Sequence, residues 1–252
     1  ALSKLIEEAN AVGIIFDEHK EIMNMDPSGA LRFSASTGTL QRSQREKEEL
    51  LFEHSCVVLF DETGSCIPTN ASYIDGFEDP QAYIAQRTPD SESTISNFWR
   101  MIWQHRSEVI VMLDLPKENQ DGTSFWNLDQ ESLLQVGKLS IKKFKVHQNY
   151  PSFDITRVLI THEDGATLPV SYFLFKNWQR QDVSPSECDV LDLIFMARLY
   201  KSAVTPMIST GYKSPVVVLC SDGLQRSMVF CAVDIGITSI STRGKVNVYS
   251  IV

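Results

Sequence analysis

Positive charge is scarce in this sequence. Lysine and arginine together number 23 against 32 aspartates and glutamates, a formal net charge of -9 over 252 residues. That balance argues against nucleic acid or an anionic membrane surface as the main partner, because both reward a basic protein. It leaves room for a local basic pocket. Long apolar runs are missing as well: none reaches the roughly 20 residues that a membrane-spanning helix needs. Cysteine is sparse, at five, an odd number without paired spacing. Neither a disulfide framework nor a zinc site is indicated, and a reducing compartment is expected. Neither a metal nor another cofactor is expected. Internal repeats and low-complexity tracts are absent. The first twenty residues, ALSKLIEEANAVGIIFDEHK, are too acidic for a signal or transit peptide and read as an amphipathic helix.

What is present is an ordinary globular composition, with 43% hydrophobic and 22% charged residues and enough length for a substantial core. Residues 1–44 read as the helix followed by a loop or extended arm rich in Ser, Thr and Gly. From residue 45 the pattern is that of one mixed α/β-type domain. REKEELLFEH reads as a short charged helix, SCVVLF as a buried strand and DETGSCIPT as a turn. NFWRMIWQHRSEVIVMLDL changes period midway, from a helix face (Phe98, Met101, Ile102) to a buried strand (Val109 to Leu113). Two alternating stretches flank Asp164-Gly165, a hairpin signal. Lys142, Lys143 and Lys145 lie in this region as a basic run, read as a solvated strand face or a contact for an acidic partner. SECDVLDLIFMARLYKS reads as an amphipathic helix with Ser186 as its N-cap.

The most informative stretch is VVVLCSDGLQRSMVF, Val216 to Phe230. A continuous apolar run ends in Cys220. A short polar loop follows, then Arg226, then apolar residues at helical spacing. Strand, loop and helix are expected in that order. Ser221, Asp222, Gly223, Leu224 and Gln225 stand between Cys220 and Arg226, and Ser227 follows. Such a loop can wrap backbone N–H groups around a phosphate, set a thiolate beneath it and clamp it with a guanidinium.

Together with other segments in collinear order, this loop resembles the protein tyrosine phosphatase family. The segments are NASYIDGFEDPQAYIAQRTP, ISNFWRMIWQHRSEVIVML, SFWNL, FKNW and GKVNVYSIV. The resemblance runs from about residue 45 to the end. It implies a fold that is a highly twisted mixed sheet flanked by helices (α/β, or α+β), and a domain truncated before its last helices. It also implies a chemistry in which a cysteine attacks phosphorus, an arginine and backbone amides hold the phosphoryl oxygens, and an aspartate on a mobile loop serves as acid and then base.

Against that pattern the nucleophile position, Cys220, is kept, as are Arg226 and Ser227. Leu219 replaces the usual histidine before the nucleophile. Asp222 stands where the family has a small neutral residue, and would oppose both a thiolate and a phosphate dianion. Gln225 replaces a loop glycine, and Met228 the glycine after Ser227. The family's Trp-Pro-Asp becomes Trp178-Gln179-Arg180, so a permanent cation replaces the general acid. Arg180 is a second phosphate clamp or a surface charge. Asp182 is a substitute acid or a solvated carboxylate. In the phosphotyrosine-recognition loop, His54 replaces the stacking tyrosine and Cys56 the aspartate that follows it.

From these losses the expectation is a pseudophosphatase, not an enzyme. It would bind a phosphorylated protein, most simply phosphotyrosine, or tether a signalling partner such as a kinase. Two alternatives stand beside it: a weak residual cysteine-dependent tyrosine phosphatase, and a scaffold whose phosphate loop is blocked. The expected setting is cytoplasmic, either free, at the cell cortex or as the inner part of a membrane receptor.

Overall fold

The computed structural model describes Lys20, residues 32–33, 51–52, 54–61, 63–114, 133–178, 185–204, 213–221 and 223–248, and Ile251. The expected N-terminal helix lies almost wholly outside them. Two short strands, β1 (Arg32–Phe33) and β2 (Leu51–Phe52), pair antiparallel. This corrects the expectation of a helix over residues 45–54: Leu51 and Phe52 are strand, and His54 and Ser55 form a turn. The ribbon depends on a partner about twenty positions upstream, which helix propensity does not register.

The main body is a nine-stranded sheet in the order β3-β4-β5-β11-β6-β10-β9-β8-β7. Its strands are β3 (Cys56–Phe60), β4 (Cys66–Gly76), β5 (Asp79–Arg87), β6 (Val109–Met112), β7 (Leu133–Val136), β8 (Leu139–Asn149), β9 (Phe153–His162), β10 (Thr167–Phe175) and β11 (Val216–Cys220). Strand β11 lies at the heart of the sheet, parallel to both β5 and β6, and β6 is parallel to β10. The remaining pairs are antiparallel. The expected mixed sheet is thus what forms. Three helices occur among the described residues: α1 (Glu92–Gln104), α2 (Glu187–Val204) and α3 (Gln225–Arg243).

Alternation along the central strands divides the core in two. Val217 and Leu219 of β11, with Ile110 and Met112 of β6, face a cluster that includes Phe98, Trp99, Met101 and Ile102 of α1. Val216, Val218 and Cys220, with Val109, Val111 and Leu113, face a second cluster built with α2 and α3. A strand covered on both faces must be apolar throughout, which is why VVVLC and VIVM read as continuous runs. Helix α1 starts at a capping box, in which Ser91 Oγ accepts the Thr94 N–H at 3.3 Å and Thr94 Oγ1 accepts the Ser91 N–H at 3.0 Å. Helix α3 stops at Gly244, whose φ of +70° a side chain would resist. No helix among the described residues is long and apolar enough to cross a membrane.

Candidate phosphate-binding site

The site is assembled where β11 ends and α3 begins. Cys220 is the last residue of β11 and is fully covered. Its carbonyl oxygen accepts the Thr88 N–H at 2.9 Å and the Gly223 N–H at 3.1 Å, so the chain turns tightly against the end of β5. Gly223 takes a φ of +76°, and a Cβ there would lie 2.7 Å from the Arg87 backbone nitrogen. Only glycine fits at this step. Leu224 occupies the N-cap of α3, where its apolar side chain offers no capping oxygen. The start of a helix without a side-chain cap is a place where backbone N–H groups and the helix dipole favour an anion.

Around Cys220, the Ser227 hydroxyl lies 3.1 Å from the Sγ and 3.4 Å from the Val218 carbonyl oxygen. An O–H directed at sulfur is the contact that a thiolate accepts. Arg226, one position earlier on α3, is largely buried, and burial holds its guanidinium below the usual arginine range. Its guanidinium carbon lies 5.9 Å from the ring centre of Trp178, which itself packs edge-on to Phe175 at 6.2 Å. The residue that opens the WQR segment is therefore in place beside the phosphate loop. Gln225 is exposed on the first turn of α3, and Ser221 is half-buried. The other thiol on this helix, Cys231, is buried, and burial, Asp234 and Cys220 push it well above the ordinary thiol range. It stays protonated and inert.

One residue of the site was not among those expected from sequence. Asp114 follows β6, and its carboxylate pairs with the Arg226 guanidinium and accepts the Ser221 N–H. The parallel register explains its place. Met112 lies opposite Leu219, so two residues further on Asp114 comes level with Ser221. A carboxylate placed directly after a buried parallel strand was the available signal, since the carboxyl ends of such strands are where ligands bind.

The structure brings Cys220, Ser221, Gly223, Arg226, Ser227 and Trp178 together. His54 is exposed in the turn before β3, and Cys56 opens that edge strand, with β4 and β5 between it and β11. Burial raises the Cys56 thiol, with Cys66 adding to the effect. Arg180, Asp182 and Asp222 lie outside the described residues.

A cysteine ends the central parallel strand, and an arginine stands on the first turn of the helix that follows the tight loop. The family model described as protein-tyrosine phosphatase matches residues 41–252. The chain belongs to the protein tyrosine phosphatase family. It is 27% identical over 247 residues to the rat tyrosine-protein phosphatase non-receptor type 9, covering 94% of this chain and 41% of that protein. It is 26% identical to tyrosine phosphatase H2 of Microplitis demolitor bracovirus (isolate Webb), covering 98% of this chain and 77% of that protein. With the rat receptor-type tyrosine-protein phosphatase C it shares 28% identity, over 84% of this chain and 16% of the receptor.

These relatives correct one expectation. A domain that is not an enzyme was inferred from the altered acid and recognition loops, yet the family and the similar proteins are named as phosphatases. The physical reason lies in the size of the terms. Loss of one acid–base group costs about 10²–10⁴-fold. Enzymes accelerate their reactions by roughly 10⁶–10¹⁷-fold or more, so one missing group lowers turnover without removing it.

Proposed function

We propose that this domain is a cysteine-dependent phosphatase acting on phosphotyrosine in proteins, with a turnover slowed by the WQR segment. The observation that carries the reading is the floor of the site: Cys220 at the end of β11, with the Ser227 hydroxyl 3.1 Å from its sulfur and Arg226 on the first turn of the following helix. Cys220 Sγ attacks phosphorus and the tyrosine oxygen departs, giving a cysteinyl-phosphate. Arg226 and the loop amides hold the phosphoryl oxygens as their charge is redistributed. Water then attacks phosphorus, the S–P bond breaks, and inorganic phosphate and the thiolate are released. With glutamine and arginine in place of proline and aspartate, the leaving oxygen takes its proton from water or from Asp182. That requirement favours phosphate esters with acidic leaving groups.

The whole-protein setting, the phosphorylated partner and a cytoplasmic location belong to the same proposal, because the chain spans about two fifths of the non-receptor relative and far less of the receptor. The test is release of inorganic phosphate from a phosphotyrosine peptide and from p-nitrophenyl phosphate, with Cys220→Ser and Arg226→Ala alongside. Slow release that disappears in Cys220→Ser is expected, with a larger rate on the nitrophenyl ester. Release that is indifferent to Cys220 would refute the mechanism.

A further inference from the structure

We propose that Asp114 is a built-in competitor for the phosphoryl group, and that ligands enter the loop only by displacing it. The inference rests on the reading that the Cys220–Arg226 loop receives a phosphoryl group. Its starting point is geometric. Asp114 holds two donors at once, the N–H of Ser221 at the start of the loop and the guanidinium of Arg226 at its end. These are donors of the type that a phosphoryl group takes from such a loop. One carboxylate oxygen accepts the Ser221 N–H and the other forms the ion pair with the guanidinium, so the group stands where an edge of a phosphoryl group would.

The partners decide what Asp114 is doing. Both contacts donate to it, which is how a carboxylate is held and not how a carboxylic acid gives its proton away. It is therefore not a relocated general acid. Its backbone is fixed, because the parallel register of β6 and β11 and the Leu113 N–H bond to the Leu219 carbonyl at 2.9 Å bring the end of β6 level with the loop. The side chain is almost fully buried, so water competes weakly for its oxygens. Cys220 beneath is completely covered. A closed floor with an internal anion across its donors is a self-occupied site.

The arrangement also selects. A phosphoryl dianion brings more charge and more acceptor oxygens than the carboxylate it replaces and can displace it. A singly charged anion, such as a sulfate ester or another carboxylate, offers no such advantage. Asp114 thus raises the threshold for entry, and a phosphoryl dianion has the charge and oxygens to pass it.

The experiment is calorimetric titration of the 252-residue chain with inorganic phosphate. Asp114→Asn keeps the shape and removes the charge. It is expected to bind phosphate on the order of tenfold more tightly, because phosphate no longer displaces a charged hydrogen-bond acceptor. Arg226→Ala placed on Asp114→Asn should abolish the gain. Unchanged or weaker phosphate binding in Asp114→Asn would overturn the proposal and make Asp114 a residue that holds Arg226 in position for its ligand. Asp114→Ser serves if the asparagine variant does not fold.

A measurement without any substitution tests the same displacement. On phosphate titration, the Asp114 carboxyl carbon and the Ser221 amide should shift in carbon and nitrogen NMR with one midpoint. An Asp114 signal that stays still while Ser221 moves would refute displacement. Turnover of p-nitrophenyl phosphate is read independently. Tighter phosphate in Asp114→Asn without hydrolysis by any form would remove the phosphatase reading and keep this one. Cys220-dependent hydrolysis with phosphate affinity unchanged would do the reverse.

Discussion

Among the described residues, two buried carboxylates form ion pairs on helix α3 and use the same chemistry for different ends. Near its start, Arg226 meets Asp114, which also accepts the Ser221 N–H. Deeper in the helix, Asp234 meets Arg198 from α2 and accepts the Tyr83 hydroxyl from β5 at 2.6 Å. Each carboxylate is buried, and each bridges a guanidinium and a second donor. The difference lies in what the donors belong to. Arg198 is tied further to the Asp234 carbonyl at 2.7 Å and to Thr238 Oγ1 at 2.5 Å, so that centre locks β5, α2 and α3 together. The donors to Asp114 belong to the phosphate loop, and a ligand can claim them. One centre is a joint, the other a latch. Ion-pair chemistry alone does not separate the two; the elements that hold the donors do.

On this contrast, breaking the joint should have the largest effect on stability. Asp234→Ala leaves Arg198 and the buried Tyr83 phenol without their shared acceptor. It is expected to cost about 3 kcal/mol, near the low end for removing one partner of a buried pair. The cost is kept low because Arg198 is 35% exposed and regains some water. Urea unfolding checks this, and Asp114→Asn should lose clearly less. Equal losses would mean that Asp114 is a joint too. Next comes Gly223→Ala. With φ at +76° and a Cβ forced to 2.7 Å from the Arg87 nitrogen, the loop must shift. A stability loss of about 1–3 kcal/mol is expected. Phosphate affinity should fall, whereas Asp114→Asn raises it. Tyr83→Phe is milder. Burial and Asp234 push the phenol far above its ordinary range, so it acts only as a donor. Losing that one hydrogen bond should cost about 1 kcal/mol, with phosphate binding unchanged.

Much of the latch is legible from local pattern. VVVLC announces a strand covered on both faces, and Gly223 and Arg226 punctuate the loop that follows. The hairpin at Asp164-Gly165 is equally plain: Gly165 takes a φ of +90°, and Asp164 Oδ1 accepts the Ala166 N–H at 2.8 Å. Asp114 is not legible as a partner of Ser221 and Arg226. The pairing arises from the register of β6 against β11, across 107 positions of sequence in the case of Ser221. Leu51 and Phe52 suggest a helix for a related reason, since their strand depends on Arg32 and Phe33. The expectation of lost activity fails differently. The departures at Gln179, Arg180 and His54 are real, but each bears on rate or affinity, and the nucleophile position is kept.

The smallest effect lies outside both centres and sharpens the comparison by pH. His105 is buried at the end of α1, its ring edge-on to Tyr73 and its Nε2 3.3 Å from the Tyr73 hydroxyl. Burial lowers its pKa below the ordinary imidazole value. The unfolded chain takes up a proton near pH 6.5, while the folded chain resists. Protons are then bound more by the unfolded state, so stability falls as pH drops from that value toward the folded pKa. Glu108 works in the opposite sense, because burial raises its carboxyl pKa. Its folded form takes a proton first, so its contribution is lost as pH rises from the ordinary carboxylate value through the folded one. Urea unfolding between pH 7 and pH 5 should therefore show a decline that His105→Gln flattens. An unaltered decline would show that His105 is protonated in the folded chain as readily as in the unfolded one. The joint has only the fold to hold it in place, whereas the latch can be replaced by phosphate added to the same titration.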